Sequence, residues 1–144
     1  MEFLNFDRFR TSVKFNSARY YYGVMEENKL LAPLQEFFND DSMEPLPDGS
    51  KFDYMGKGKF IELKSRTCKR TTYDTTCIGV GKIDYAKQHY THNDFFFVFQ
   101  FIDGEIWYWK YNPEQPLSYH HICNIPHYFI PISYLLPIKI INRE

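Results

Sequence analysis

Asp53, Glu62 and Lys64 are the residues whose types and spacing point most directly to chemistry. They lie in Phe-Asp-Tyr-Met-Gly-Lys-Gly-Lys-Phe-Ile-Glu-Leu-Lys, residues 52–64, which reads as a tight hairpin. Two short strands, about 51–55 and 59–64, would be joined by Gly56-Lys57-Gly58, whose glycines supply the positive φ that a close turn needs. Side chains alternate along a strand, so Glu62 and Lys64 share one face while Ile61 and Leu63 take the other. Asp53 would stand across from them on the partner strand. Two carboxylates can hold a hard cation through oxygen, and a neighbouring ammonium can steady a phosphate or position an attacking water. The plainer alternative for Lys64 is a surface lysine paired with Glu62 along its strand, an interaction worth little.

Such a hairpin needs elements around it. Ser17 suits the N-cap of a helix starting near Ala18. On a 3.6-residue period Tyr20, Val24, Leu31, Leu34 and Phe38 share a face, with Glu27 in its middle. A carboxylate on a core stripe is costly to bury without a partner. Pro33 either kinks this helix or opens a second one. Residues 39–50 are loop by composition, and 69–74 form a polar connection. Residues 75–80 suit a third strand, and 83–90 a short helix preceded by Gly79, Gly81 and Lys82. At that position Lys82 can meet a phosphate beside the positive end of the helix, or be an ordinary basic residue. Residues 95–102 are an apolar run typical of a buried strand. Asp103-Gly104 then signals a hairpin into a strand over 105–111 that alternates Ile106, Tyr108 and Lys110 against Trp107, Trp109 and Tyr111. The tail from Asn112 is punctuated by Pro113, Pro116, Pro126, Pro131 and Pro137, so its strands are expected to be short and near edges.

Composition bounds the function classes. A chain of 144 residues, 44% hydrophobic and 19% aromatic, can bury a core as a single domain over 1–144. No apolar run nears the roughly 20 residues of a membrane span, and the first residues do not read as a signal peptide. Three cysteines, Cys68, Cys77 and Cys123, without paired spacing suit an intracellular, reducing compartment. The formal net charge of −1 argues against a non-specific DNA coat. Locally, however, Lys57, Lys59, Lys64, Arg66, Lys69 and Arg70 surround the single acid Glu62. Such a basic patch suits a phosphodiester, and it equally suits a solvated loop. His89, His92, His120 and His121 lack partners at zinc-ligand spacing. Trp107 and Trp109 share a face that can stack on bases or pack in a core.

The pattern of Asp53, a hairpin turn, then Glu62-Leu63-Lys64 resembles the PD-(D/E)xK, or restriction-endonuclease-like, nuclease superfamily, with Phe52 where that family loosely keeps proline. The run 62–66, the segment 75–82 and Phe95–Phe101 look like the small nucleases of phages and large DNA viruses. The resemblance covers about 18–111 and implies an α/β (α+β) fold, a central mixed sheet flanked by helices in αβββαβ order. Residues 112–144 would be a proline-rich C-terminal elaboration. It implies Asp53, Glu62 and the Leu63 carbonyl as ligands of Mg²⁺, with Mn²⁺ as a substitute, and Glu27 as a further acid. Lys64 would orient the attacking water and Lys82 would bind phosphate. Lys57, Lys59, Arg66, Lys69 and Arg70 would contact nucleic acid. The implied activity is metal-dependent hydrolysis of DNA, with RNA as the alternative substrate, in DNA processing, recombination or repair. The implied partners are DNA and a second copy in a homodimer, without a membrane. For a viral chain, the setting would be the host cytoplasm, nucleus or virion. The competing readings are a catalytically inactive nuclease-fold protein that binds nucleic acid or protein, and a virion or assembly component.

Overall fold

The hairpin forms. A computed structural model describes residues 29–139. In it β2 (Tyr54–Gly56) runs antiparallel to β3 (Lys59–Ser65), with Gly56 paired to Lys59 across the turn. Gly58 takes the positive φ of 64°, a conformation open to glycine at little steric cost. The first strand is shorter than the expected 51–55. Residues 51–53 bend away, and regular pairing starts at Tyr54.

Around this hairpin grows a six-stranded mixed sheet. β1 (Glu44–Pro45), inside the segment expected to be loop, pairs antiparallel with β2. β5 (Asp94–Gln100) lies parallel to β3, and β6 (Ile106–Lys110) lies antiparallel to β5. β9 (Leu136–Ile138) closes the edge, for an order β1-β2-β3-β5-β6-β9. The turn into β6 follows the Asp103-Gly104 signal, with Gly104 at φ 89°. β5 is buried from Phe95 to Phe99 because both faces of the sheet are covered. Phe96 and Val98 enter one core with Ile61, Leu63, Tyr54 and Ile106. Phe95, Phe97 and Phe99 enter the other with Phe52, Ile83 and Trp109. The alternation expected of the 105–111 strand holds, with Tyr108 packed on the first core and Trp107 and Tyr111 on the second.

Residues 29–37 are helical (α1) and place Leu30 and Leu34 in the first core. This helix ends in a Schellman motif. Asn39 adopts φ 51°, its N–H donates to the Glu36 carbonyl, and the Asp40 N–H donates to the Gln35 carbonyl. Pro33 lies within the helical segment. Ser17, Tyr20, Val24 and Glu27 fall outside the described residues. α2 (Val80–His89) begins three residues earlier than expected, which puts Lys82 in its first turn. Its Ile83 and Ala86 pack on the second core.

Two expectations need correction. β4 (Thr75–Gly79) does not join the central sheet; it is the edge of a separate three-stranded sheet that the tail completes. The tail is also more than short edge pieces. β7 (Ser118–Ile122) and β8 (Ile125–Pro131) form a hairpin over Cys123-Asn124, both at positive φ, and β8 is the central strand of its sheet. Pro126 and Pro131 are tolerated because they stand at or next to the ends of β8. Ile130 and Leu135 complete the second core. Among the described residues the fold is thus α+β, a mixed six-stranded sheet with a smaller antiparallel sheet and two α-helices. Among the described residues no helix is long and apolar enough to cross a membrane.

Candidate functional site

β3 supplies the centre of the site. Glu62 pairs with Phe97 and Lys64 with Phe99 across the parallel ladder, so both side chains point toward α2, away from Ile61 and Leu63. Glu62 and Lys64 are fully buried at 0% exposure. A charge placed there needs a partner, because an isolated one costs many kcal/mol in a low dielectric. Lys64 Nζ lies 3.0 Å from Glu62 Oε2. Lys82 Nζ reaches the same oxygen from the first turn of α2, at 3.6 Å, and stands 5.4 Å from the centre of the Phe52 ring.

Asp53 is held by a different device. The regular β2–β3 ladder begins at Tyr54, yet the Asp53 N–H still donates to the Ile61 carbonyl at 3.0 Å. The Asp53 carbonyl turns aside to the Leu46 N–H at 2.8 Å. Its carboxylate Oδ2 takes over as acceptor and receives the Leu63 N–H at 2.7 Å. A side chain thereby replaces a backbone group in the ladder, and the Asp53 carboxylate is fixed against the β3 backbone at Leu63, the residue between Glu62 and Lys64. Leu63 meets the site through its backbone, while its side chain belongs to the opposite core.

Glu62, Lys64 and Lys82 come together, and Asp53 is tied to the same strand through the Leu63 N–H; by residue type these are two acids and two bases, a formal balance. Asp53 and Lys82 are buried as well, at 3% and 8% exposure. The donor set fits a hard divalent ion in its chemistry: Mg²⁺ is commonly held by one or two carboxylates with water completing the shell. Among the described residues no group of three His, Cys, Asp or Glu side chains is placed to hold a metal. Glu27, the further acid expected on the first helix, lies outside the described residues.

The expected basic patch is divided. Lys57 and Lys59 sit at the hairpin tip, where Lys59 Nζ pairs with Asp40 at 2.8 Å. Lys69 and Arg70 lie past the other end of β3, a separation of about 20 Å at the rise of an extended strand. Lys69 is exposed, and Arg70 lies 4.0 Å over the Trp107 ring. Arg66 is buried. Its Nε donates to Thr76 Oγ1 at 3.0 Å, its Nη2 to the Cys77 carbonyl, and its guanidinium stands over Phe99. It ties the end of β3 to β4.

Sequence reading passed over Asp40. This buried carboxylate accepts from the Ser42 N–H and hydroxyl, from the Lys57 N–H at 2.8 Å and from Lys59. The Lys59 ammonium, foremost, holds its pKa far below the ordinary 3.8, helped by Ser42 and the Lys57 N–H. No local pattern marks an acid that must meet a hairpin seventeen residues on.

Comparison with family models, curated proteins and solved structures finds no match for this chain.

Proposed function

We propose that the protein is a metal-dependent nuclease that hydrolyses DNA phosphodiester bonds by direct attack of water. One observation carries the reading: a glutamate and a lysine two residues apart on a buried strand, side chains 3.0 Å apart, with a strand-anchored aspartate beside them. The order β1-β2-β3-β5, antiparallel, antiparallel and then parallel, supports a restriction-endonuclease-like core in which β4 is an insertion.

In this reading Asp53 and Glu62 would hold Mg²⁺, with the Leu63 carbonyl as a further oxygen. The ion, when bound, supplies a polarised phosphate and a water of lowered pKa. The Leu63 N–H keeps the Asp53 carboxylate from rotating away. Lys64, packed against Glu62, places its ammonium where the attacking water or the developing negative charge would lie. Lys82 adds a cation from the first turn of α2, on the phosphate side.

The test uses substitutions that preserve shape. Asp53→Asn keeps an oxygen for the Leu63 N–H, and Glu62→Gln and Lys64→Met fill the same volume. Each is expected to lower Mg²⁺-dependent cleavage of labelled DNA about 10²–10³-fold with circular dichroism unchanged. Folded Asp53→Asn and Glu62→Gln proteins that cut as well as the parent would sink the proposal.

A second reading draws on the burial and charge balance of the same cluster. Sealed and neutral, it suits a nuclease-like domain that binds nucleic acid or protein without cutting. Calorimetry with Mn²⁺ separates the two: a binding isotherm abolished by Asp53→Asn favours the nuclease, and no heat at millimolar metal favours the binder.

A further inference from the structure

Away from the Glu62 cluster, a cavity of about 470 Å³ opens where the start of β5 meets the end of β6. Its size falls within the roughly 300–1,000 Å³ of small-molecule sites. Rings dominate its wall: Tyr90, Trp109, Tyr111 and Tyr134 all line it. Tyr90 and Tyr111 stand 5.8 Å apart, and Trp109 stacks on Tyr134. Three amide side chains, Asn93, Asn112 and Gln115, supply polar groups. Several of these groups are held before any ligand arrives. Trp109 Nε1 donates to Gln115 Oε1 at 2.7 Å, which leaves the Gln115 amide nitrogen as the group with protons to offer. Asn112 Oδ1 is likewise taken by the Glu114 N–H. The Tyr134 hydroxyl donates to the Pro116 carbonyl. The two charged side chains of the wall, Lys110 and Asp94, face each other at 3.5 Å, so the pocket is neutral.

Flat rings, amides and no net charge select a flat, neutral ring with a hydrogen-bonding edge. We propose that this pocket takes one unpaired base of a nucleic-acid strand. Aromatic faces give sequence-tolerant stacking, and amides read base edges. The placement agrees. Phe95 lines the cavity, points to the same core as Phe97, and lies two residues from it; Phe97 is the β5 partner of Glu62. The separation along the strand is about 7 Å. One wall of the base pocket therefore stands on the same strand as the partner of Glu62, while Asp94, Tyr108 and Lys110 carry the pocket round to the other face of the sheet. This rests on the nuclease reading for its biological meaning: the substrate would be single-stranded, or branched with an unpaired base at the cut.

Binding is measured apart from cleavage. In EDTA, a fluorescein-labelled single-stranded hexanucleotide is titrated into the full-length protein, alongside the same backbone made abasic. The intact strand is expected to bind at least about tenfold more tightly than the abasic one. Tyr90→Ala and Tyr111→Ala should remove that difference, and Tyr90→Phe should keep it. Tyr90 is substantially exposed, so its replacement tests stacking without disturbing the core. Equal binding of the two strands, no binding of either, unchanged binding by the melting-competent Tyr90→Ala protein, or displacement by a tyrosine- and proline-rich peptide in preference to the hexanucleotide would each overturn the proposal. Base-dependent binding that survives while Mg²⁺ yields no cleavage would instead count against the nuclease reading alone.

Discussion

Asp40 sits where the end of α1 meets the β2–β3 turn, ionised and shared between Ser42, Lys57 and Lys59. Its depressed pKa sets a pH dependence whose sign is fixed. Near pH 7 the carboxylate is charged in both states, and its native contacts stabilise the fold. As pH falls below about 4, the unfolded chain takes up the proton and the native chain does not, so that stabilisation drains away. Urea denaturation from pH 7 to pH 3 should therefore show a steeper loss in the parent than in Asp40→Asn, with the two curves converging at acid pH. Glu62 offers a second residue-scale prediction. Glu62→Ala removes the carboxylate that both Lys64 and Lys82 face and should cost about 3–5 kcal/mol, whereas Lys82→Met leaves the closer Glu62–Lys64 pair intact and should cost less. Parallel urea midpoints check this; equal losses would show that losing the Lys82 contact costs as much as losing the carboxylate itself.

Elements are positioned by single contacts. A methyl group at Gly56 would meet Asp40 Oδ2 at 2.3 Å, so the hairpin can approach the end of α1 only because that residue lacks a Cβ. Gly56→Ala should destabilise by about 1–3 kcal/mol, the usual range for overpacking. Gly58→Ala should also destabilise, through its positive φ, though the space around it is open. At the far end of β3, Arg66 bridges to β4 through Thr76 and the Cys77 carbonyl. Arg66→Met should cost about 2–4 kcal/mol, given about 1.5–3 for each hydrogen bond to a charged group and partial compensation by packing. If amide exchange in β4 were unchanged in this variant, the arginine would not be what joins the two sheets.

Across the molecule, the tail is part of the core. Ile130 and Leu135 pack in the cluster that holds Phe97 and Trp109, and Ile138 packs in the other. A chain ended at Asn112 should lose cooperative unfolding and bind a hydrophobic dye, although it keeps the hairpin, α2, β5 and β6. A sharp thermal transition in that truncated chain would refute this. The burial of the Glu62 cluster is likewise a property of the whole. α2 and the strands around it enclose charges that an isolated hairpin would leave in water.

Local physics was legible in the residues. A period of two placed Glu62 and Lys64 on one face, Leu63 on the other, and Trp107 and Trp109 together, because strand alternation needs no knowledge of the rest of the chain. Gly58 and Gly104 marked their turns for the same reason. Long-range partnership decided the rest. Which sheet β4 joins, that Pro45 becomes a strand, that Arg66 serves as a strut, and that Asp53 lends its carboxylate to the ladder of β3 all depend on groups brought together from distant positions. Sequence periodicity reports which way a side chain faces; only the folded chain determines what it faces, because that contact is settled by competition among all surfaces seeking burial at once.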